Sequence, residues 1–381
     1  MANADDDAQG GAAGTHQSPS PLHQRHLDLG AKLASFGGWI MPLEYAGGGV
    51  LKEHAAVRGR VGVFDVSHLG KVTVRGPGTA AYLNTCLSND LDRIGPGRAQ
   101  YTLCVDDASG GAVDDLIAYL RSPDEVFLIP NAANTTEVCR RLTSAAPDGI
   151  DVLDEHHDHA VLAVQGPSGD ELLRAVGLPT GHDYMSFVQA EHAGAPVTVC
   201  RTGYTGERGY ELVTPSAAAT SLWDALMTAG SDFGVLACGL GARDTLRTEM
   251  GYPLHGQDIS MEISPVEARL VWAVGWSKDS FWGKEVLTAQ RTAKAGPLLR
   301  GLVASGRGIA RPGMSVGLPG TRASVGHVTS GTFSPTRRQG IALALLDRSV
   351  HDGDEVSVGM RGRHEAFVVT KPPFVQTGVR T

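Results

Sequence analysis

The pattern of apolar runs changes near residues 291–297, and this change constrains the fold more than any other feature of the chain. Before it, strand-like runs alternate with helical stretches, as where Lys71–Arg75 is followed by Gly78–Leu87. After it, helical periodicity is scarce and turn signals separate five strand-like runs: Leu299–Ala304, Ser324–Thr329, Ile341–Leu346, Glu355–Val358 and Glu365–Thr370. Such spacing is typical of a barrel or sandwich. The sequence therefore predicts α/β units followed by an all-β domain.

The domain bounds follow from local composition. The polar, turn-prone stretch at 291–297 is suited to a linker, and 49 glycines among 381 residues favour turns and short strands over a helical bundle. Residues 1–20 contain three aspartates and no Lys or Arg, with almost no apolar surface to bury. We predict a disordered tail over 1–20, a first region over 21–290 and a β domain over 298–381.

Charge and cysteine usage argue against several classes of protein. Asp and Glu outnumber Lys and Arg by 41 to 33, so a nucleic-acid partner is not expected. No apolar run approaches the roughly 20 residues that span a bilayer, and the start of the chain lacks the basic and apolar segments of a secretory signal. The five scattered cysteines form no CxxC pair, which fits reduced thiols in the cytoplasm.

A short Gly-Pro motif occurs twice. Gly76-Pro77-Gly78 and Gly166-Pro167-Ser168 each join a predicted strand to a predicted helix, where Gly permits the reversal and Pro suits the first helical turn. Two explanations stay open. The motifs mark two related α/β subdomains, or the same turn chemistry is used twice.

Two adjacent carboxylates, Asp114 and Asp115, lie between a glycine turn and an apolar strand. Neighbouring side chains on a strand point to opposite faces, so at most one of the two faces a pocket. A turn that caps a strand explains the pair equally well without any catalytic role. Residues 155–159, Glu-His-His-Asp-His, resemble metal ligands, but no second cluster supplies further ligands, which favours a solvated loop and no metal site.

Two polar, glycine-containing segments are further candidates. The segment Arg201–Glu211 lacks the Lys of a phosphate-binding loop, which excludes that function, and Glu211 opens a strand that can present a carboxylate to a ligand. Arg243 stands near a predicted helix start, where it either holds an anion or pairs with Asp244 or Glu249.

Nine stretches of the chain carry a shared pattern when they are taken in order: Leu33–Leu43, Val61–Gly70, Gly110–Ile117, Asn131–Asn134, Arg201–Glu211, Gly239–Asp244, Tyr252–Asp258, Val325–Pro335 and Lys371–Phe374. Together they resemble the aminomethyltransferase (T-protein) family of the glycine cleavage system, from about His23 to the end of the chain. The resemblance implies an α+β fold with three domains in a cloverleaf. Two interlocked α/β subdomains surround a folate channel, and a C-terminal β-barrel follows.

The resemblance also implies an activity. In the family, the one-carbon unit of an aminomethyl group on the dihydrolipoyl arm of H-protein passes to tetrahydrofolate, ammonia leaves, and 5,10-methylenetetrahydrofolate forms. Lipoylated H-protein is then the partner, tetrahydrofolate the acceptor substrate, and no metal is needed. Two alternatives stay open: a tetrahydrofolate-dependent demethylase of a small methylated compound, and a non-catalytic folate-binding module. The family's aspartate at Asp115 argues against the second.

Site residues are implied by position in the matching motifs. Asp115 aligns with the family's catalytic aspartate, and Glu211 and Arg243 align with folate-contacting side chains. A carboxylate suits the two-donor edge of a pterin. Other folate-binding positions are Tyr101, Tyr119, Asn131, Tyr204, Tyr252, Trp272 and, at the C-terminus, Arg380. The chain departs from the family pattern at Leu69, where Met is common, and at Arg208, where an acid is common.

Overall fold

The computed structural model describes residues 17–320, 323–360 and 362–379. Its strands are β1 (Ser18–Pro19), β2 (Lys32–Phe36), β3 (Trp39–Glu44), β4 (Gly62–Asp65), β5 (Val72–Arg75), β6 (Arg98–Val105), β7 (Ala112–Ser122), β8 (Glu125–Ile129), β9 (Asp151–Asp154), β10 (His159–Gln165), β11 (Phe187–His192), β12 (Ala195–Cys200), β13 (Gly209–Pro215), β14 (Leu236–Cys238), β15 (Leu298–Ala304), β16 (Ser315–Gly317), β17 (Ser324–Ser334), β18 (Gln339–Leu346), β19 (Glu355–Met360) and β20 (Arg363–Thr370). Its α-helices are α1 (His23–Asp28), α2 (Gly49–Gly59), α3 (Thr79–Cys86), α4 (Thr135–Ala145), α5 (Gly169–Ala175), α6 (Ala219–Ala229), α7 (Leu240–Met250) and α8 (Lys284–Ala293). Within these ranges, none of the helices has the length and apolar character to span a membrane.

Two sheets exchange segments of the chain between them. One sheet has the strand order β11-β12-β13-β10-β4-β14, and the other has the order β6-β7-β8-β5-β9. The chain leaves the first sheet after β4, builds the whole second sheet from β5 to β9, and returns at β10, which pairs antiparallel with β4 and β13. This discontinuous order confirms the predicted pair of interlocked α/β subdomains.

The repeated Gly-Pro motif forms the same turn in each sheet. Gly76 lies between β5 and α3, Gly166 lies between β10 and α5, and their φ angles are 136° and 133°. A Cβ atom would lie 2.0 Å from the carbonyl oxygen of Gly149 in the first turn and 2.4 Å from that of Arg60 in the second, so both positions require glycine. Their equivalent placement favours the explanation by related subdomains.

The C-terminal strands close into a barrel with the order β15-β18-β17-β16-β19-β20, in which β20 pairs back with β15. All five strand-like runs predicted from the sequence belong to this barrel, which confirms the predicted β-barrel domain. Strand β16 is absent from the prediction because three residues are too few to show alternation. Apolar side chains fill the interior, among them Leu302, Val328, Val356 and Phe367.

Two apolar clusters connect these units. One packs Tyr119 and Phe127 of the five-stranded sheet against Phe64 and Val161 of the six-stranded sheet. The other packs Leu343 and Phe374 from the barrel side against Leu103 on β6 and Leu270, which precedes α8. The two sheets, the barrel and the intervening loops therefore form one packed body.

Residues 17–20, which the sequence assigns to a disordered tail, make defined contacts in the structure. Ser18–Pro19 pairs in parallel with β3, and the buried hydroxyl of Ser20 donates a hydrogen bond to the carboxylate of Asp65. Because a buried acceptor fixes Ser20, the prediction of disorder from low apolar content is wrong for residues 17–20. The rest of the predicted tail, residues 1–16, lies outside the described residues. The other domain bounds stay predictions.

Candidate active site

A cavity of about 590 Å³ is lined by β7 of one sheet, β13 of the other, helix α7 and the loop that follows it. Each predicted site residue in the described part of the chain lines this cavity: Asp115, Glu211, Arg243, Tyr101, Tyr119, Asn131, Tyr204, Tyr252 and Trp272. Arg380, the remaining one, lies outside the described residues. The volume falls within the range of about 300–1,000 Å³ that is typical of small-molecule sites. The fold thus brings residues that are distant in sequence to one site.

Asp115 presents a partly buried carboxylate to the cavity from β7. The hydroxyl of Tyr101 donates to its Oδ2 at 3.0 Å, and the side-chain amide of Asn131 donates to its Oδ1 at 2.9 Å. Burial raises the pKa of Asp115, although Tyr101, the nearby His255 and Asn131 each lower it. A carboxylate in this setting can accept a proton and can stabilise a cation that develops beside it.

Asp114, its neighbour on β7, is fully buried and does not line the cavity. Strand alternation predicts this outcome, because only one of the two side chains can face a pocket. Its carboxylate instead accepts hydrogen bonds from Asn131 and Asn134. Burial and the charge of Asp115 raise the pKa of Asp114 to about 8.

Glu211 lines the cavity from β13 of the six-stranded sheet, whereas Asp115 lines it from β7 of the five-stranded sheet. The hydroxyl of Thr202 donates to Oε2 of Glu211 at 2.6 Å, and the hydroxyl of Tyr119 lies 3.1 Å from that of Thr202. Oε1 of Glu211 accepts no hydrogen bond from the residues that the structure describes. A buried carboxylate is therefore fixed through one oxygen and leaves the other for a ligand that donates hydrogen bonds.

Arg243 lies in the first turn of α7 and lines the same cavity. Its guanidinium carbon lies 4.8 Å from the centre of the Tyr204 ring. The two alternative partners, Asp244 and Glu249, pair with other arginines. Nη1 of Arg243 is buried without a hydrogen-bond partner among the described residues. The side chain is thus held by an aromatic face and keeps a donor for a ligand.

Aromatic rings form two stacked pairs on the cavity wall. Tyr204 and Tyr252 have ring centres 5.8 Å apart and an interplanar angle of 29°. Tyr101 and Trp272 have centres 5.3 Å apart and an angle of 27°. Trp272 is 62% exposed, which places the second pair at the mouth of the cavity. Flat apolar walls of this kind suit a ligand that contains aromatic rings.

Comparison with known proteins identifies the family. The model of the GCVT N-terminal domain matches residues 22–278, and that of the glycine cleavage T-protein C-terminal barrel domain matches residues 298–376. The chain belongs to the glycine cleavage T-protein family. This finding confirms the resemblance predicted from the motifs.

Similar T-proteins cover almost the whole chain. A protein named aminomethyltransferase from Parafrankia sp. (strain EAN1pec) is 63% identical, over 95% of this chain and 98% of its own length. One of the same name from Mycobacterium tuberculosis (strain ATCC 25618 / H37Rv) is 55% identical, over 94% and 97%. The crystal structure of glycine cleavage system aminomethyltransferase T from Bartonella henselae has a TM-score of 0.88 at 32% identity, and the match covers 94% of this chain and 98% of that one. The α+β fold class is confirmed.

The two departures from the common T-protein pattern leave the cavity wall intact. Arg208 does not line the cavity, and two hydrogen bonds of 2.8 Å join its guanidinium to the carboxylate of Asp170 on α5. Its charge is therefore matched by a local partner. Leu69 does line the cavity, where it replaces one apolar side chain by another.

The cavity wall also contains polar residues that are absent from the predicted set, among them His68, Thr202 and His255. Nε2 of His255 donates to the carbonyl oxygen of Ala112 at 3.0 Å, so its Nδ1 accepts from the amide of Asn134, also at 3.0 Å. Burial and the nearby Arg243 lower the pKa of His68 to about 3, which keeps that ring neutral. Both histidines stand within matching motifs, but a lone histidine in a sequence does not reveal whether its ring faces a core or a pocket.

The histidines at 155–159 have a packing role that the sequence does not predict. The rings of His156 and His157 lie 5.1 and 4.9 Å from the ring of Trp39, so the predicted solvated loop is covered on one side. Among the described residues, no group of three or more His, Cys, Asp or Glu side chains is placed to hold a metal ion.

Proposed function

We propose that this chain is an aminomethyltransferase that moves the one-carbon unit of an aminomethyl group from the dihydrolipoyl arm of H-protein to tetrahydrofolate. Ammonia is released and 5,10-methylenetetrahydrofolate forms. One observation carries the proposal: nine residues assigned by position in a T-protein pattern line a single cavity. The full-length relatives named aminomethyltransferase support the same enzyme class.

The cavity can bind tetrahydrofolate through three kinds of contact. The free oxygen of Glu211 accepts from the 2-amino and N3–H groups of the pterin, and these bonds are strong because the acceptor is charged. The unpartnered Nη1 of Arg243 donates to a ligand acceptor. The stacked pair of Tyr204 and Tyr252 supplies a flat surface for aromatic rings.

Asp115 acts at the reacting nitrogens. The methylene carbon breaks its bonds to nitrogen and to sulfur and forms two bonds to folate nitrogens. Those nitrogens lose two protons, of which one leaves with ammonia and one with the dihydrolipoyl thiol. An iminium-like species carries positive charge on the way, and a carboxylate beside it stabilises that charge or accepts a proton. Asp115 is the carboxylate that faces the cavity from β7.

The mouth of the cavity admits the donor arm. Phe36 and Trp272 are 40% and 62% exposed, and both line the cavity. Apolar rings at an entrance suit the hydrocarbon part of a lipoyl chain. Five free cysteines among the described residues fit a reducing compartment, so we place the reaction in the cytoplasm.

A turnover assay with aminomethylated H-protein and tetrahydrofolate tests the proposal. We expect ammonia and 5,10-methylenetetrahydrofolate to form in equal amounts. The same enzyme is offered small methylated donors in parallel. Turnover of those donors without turnover of H-protein would establish the demethylase instead, and tetrahydrofolate binding without any turnover would indicate a binding module.

A further inference from the structure

Asp114 is a fully buried carboxylate with no part in the chemistry described above. Its two oxygens accept three N–H groups. The main-chain N–H of Asn131 lies at 2.9 Å, the side-chain amide of Asn131 at 2.8 Å and that of Asn134 at 2.7 Å. These three N–H groups therefore satisfy the buried carboxyl oxygens, and all three belong to the segment that follows β8.

The side-chain amide of Asn131 joins the two neighbouring carboxylates. Its Nδ2 lies 2.8 Å from Oδ1 of Asp114, 2.9 Å from Oδ1 of Asp115 and 3.0 Å from the carbonyl oxygen of Asp115. Only the N–H end of the amide can face these atoms, because the flipped amide would set its own oxygen against three acceptors. The Asp114 oxygen thus helps to orient the side-chain amide of Asn131, so that its N–H group and not its oxygen faces Asp115.

A second branch of the network reaches the cavity wall through His255. The amide of Asn134 lies 2.7 Å from Asp114 and 3.0 Å from Nδ1 of His255. Titratable groups that face the carboxylate pair come from several elements: Tyr101 and Cys104 on β6, Tyr204 before β13, and His255 after α7. Because the two carboxyl groups and these neighbours interact, the pH dependence of the pair belongs to the whole set and not to one residue.

We infer that Asp114 is a positioning residue, which acts through Asn131 to hold the Asp115 carboxylate in the orientation that the transfer reaction uses. The inference rests on the proposed function. Asp114 does not line the cavity, so its loss should affect the chemical step more than folate binding. Burial and Asp115 raise the pKa of Asp114 to about 8, so its loss should also alter the pH dependence of the rate.

A double-mutant cycle with Asp114→Asn and Asn131→Ala tests the inference. We expect Asp114→Asn to lower kcat roughly tenfold, because a small displacement of a reacting group is costly, and to leave the Kd for tetrahydrofolate within about threefold. In the Asn131→Ala background the same change should have almost no further effect on kcat, since both act along one path. Additive effects, or a loss confined to folate affinity, would overturn the inference.

Matched controls separate positioning from folding. Asp170→Asn removes another buried carboxylate, one that pairs with Arg208 away from the cavity, and should lower the melting temperature without changing kcat or its pH profile. If Asp114→Asn does not fold, Asp114→Ser takes its place, because a hydroxyl can still accept one of the three N–H groups.

Infrared difference spectra give a readout that does not depend on turnover. The carboxylate band of Asp115, assigned by its loss in Asp115→Asn, should shift in Asp114→Asn because the hydrogen bond from Asn131 is displaced, and should not shift in Asp170→Asn. A wild type without turnover would overturn the proposed function, and the spectra would then decide the inference, with an unshifted Asp115 band in the Asp114 variant counting against it. Turnover in the wild type together with an unchanged kcat in the Asp114 variant would overturn the inference and leave the proposed function standing.

Discussion

The hydroxyl of Tyr101 donates a hydrogen bond of 3.0 Å to Oδ2 of Asp115. The ring of the same tyrosine stacks on Trp272 at the mouth of the cavity. One side chain therefore connects the proposed catalytic carboxylate to the aromatic wall at the mouth of the cavity. Burial and the adjacent carboxylate raise the pKa of Tyr101 well above its ordinary value, so the phenol keeps its proton and stays a donor around neutral pH.

Replacing this phenol by phenylalanine should change the pH profile. Tyr101→Phe keeps the stacked ring and removes the donor to Asp115. Because that bond lowers the pKa of Asp115, its loss should raise the pKa and move the acid limb of kcat/KM to higher pH. We expect kcat to fall about tenfold, as for the loss of a hydrogen bond to a charged group. Rates measured between pH 5 and 9 check this, and an acid limb at its wild-type position would contradict it.

Removing the charge of Asp115 should separate chemistry from binding. In Asp115→Asn, turnover with aminomethylated H-protein should fall roughly 10²-fold or more, while tetrahydrofolate affinity changes much less. Asp224→Asn is the matched control, because Asp224 pairs with Arg25 on the surface. Steady-state kinetics and calorimetric titration give the two quantities. Wild-type turnover in the Asp115 variant would refute the catalytic assignment.

Changes at Glu211 and Arg243 should weaken folate binding. Glu211→Gln sets a donor against a pterin donor, which costs about 1–3 kcal/mol and lowers the affinity roughly ten- to a hundredfold. Arg243→Ala removes the unpartnered Nη1 and should have a comparable effect. Calorimetric titration with tetrahydrofolate is the measurement, and thermal unfolding without ligand detects misfolding. If both variants fold and bind as tightly as the parent, the folate lies elsewhere.

Local patterns account for the elements but not for which of them meet. The sequence predicts the strand at Glu211 that is part of β13, and alternation predicts that only one of Asp114 and Asp115 faces a pocket. It does not predict that the strand with Glu211 and the strand with Asp115 belong to different sheets. That arrangement depends on the crossing of the chain between β4 and β10, which is a property of the whole fold.

Which charged side chains form ion pairs also depends on residues that are distant in sequence. From the sequence, Arg243 is free to pair with Asp244 or Glu249. In the structure Arg247 takes Asp244, and Arg58 on α2 takes Glu249 at 2.7 Å. Since Arg58 is distant in sequence, nothing near Arg243 indicates that Glu249 is already paired.

The anchored end of the N-terminal segment yields a prediction for stability. The buried hydroxyl of Ser20 donates to Asp65, which also lies 2.8 Å from Nε2 of His26. Ser20→Ala should reduce the free energy of unfolding by about 1–3 kcal/mol, because a buried charged acceptor loses a donor. Ser18→Ala is the control, since Ser18 pairs with β3 through its backbone. Urea unfolding compares the two, and equal stabilities would show that Ser20 does not anchor the segment.

Glu249 at the end of α7 joins three parts of the molecule. It accepts from Arg58 on α2, from the hydroxyl of Ser334 on β17 and from Thr336 beyond it. Burial alone would raise the pKa of Glu249, but His54, Ser334 and Arg58 outweigh burial and lower it to about 2. The barrel is thus fastened to the α/β region through a carboxylate that must stay ionised.

Acid should therefore loosen this junction. Because the pKa of Glu249 is lower in the folded chain than in the unfolded chain, its stabilising contribution is present above the unfolded pKa and is lost as the pH falls toward about 2. The shift corresponds to about 3 kcal/mol. Urea unfolding from pH 6 to pH 2.5 should show a shallower loss of stability in Glu249→Gln than in the wild type. Glu191→Gln, at an exposed carboxylate, should keep the wild-type slope. Identical slopes in the wild type and Glu249→Gln would mean that this carboxylate does not carry the acid sensitivity of the fold.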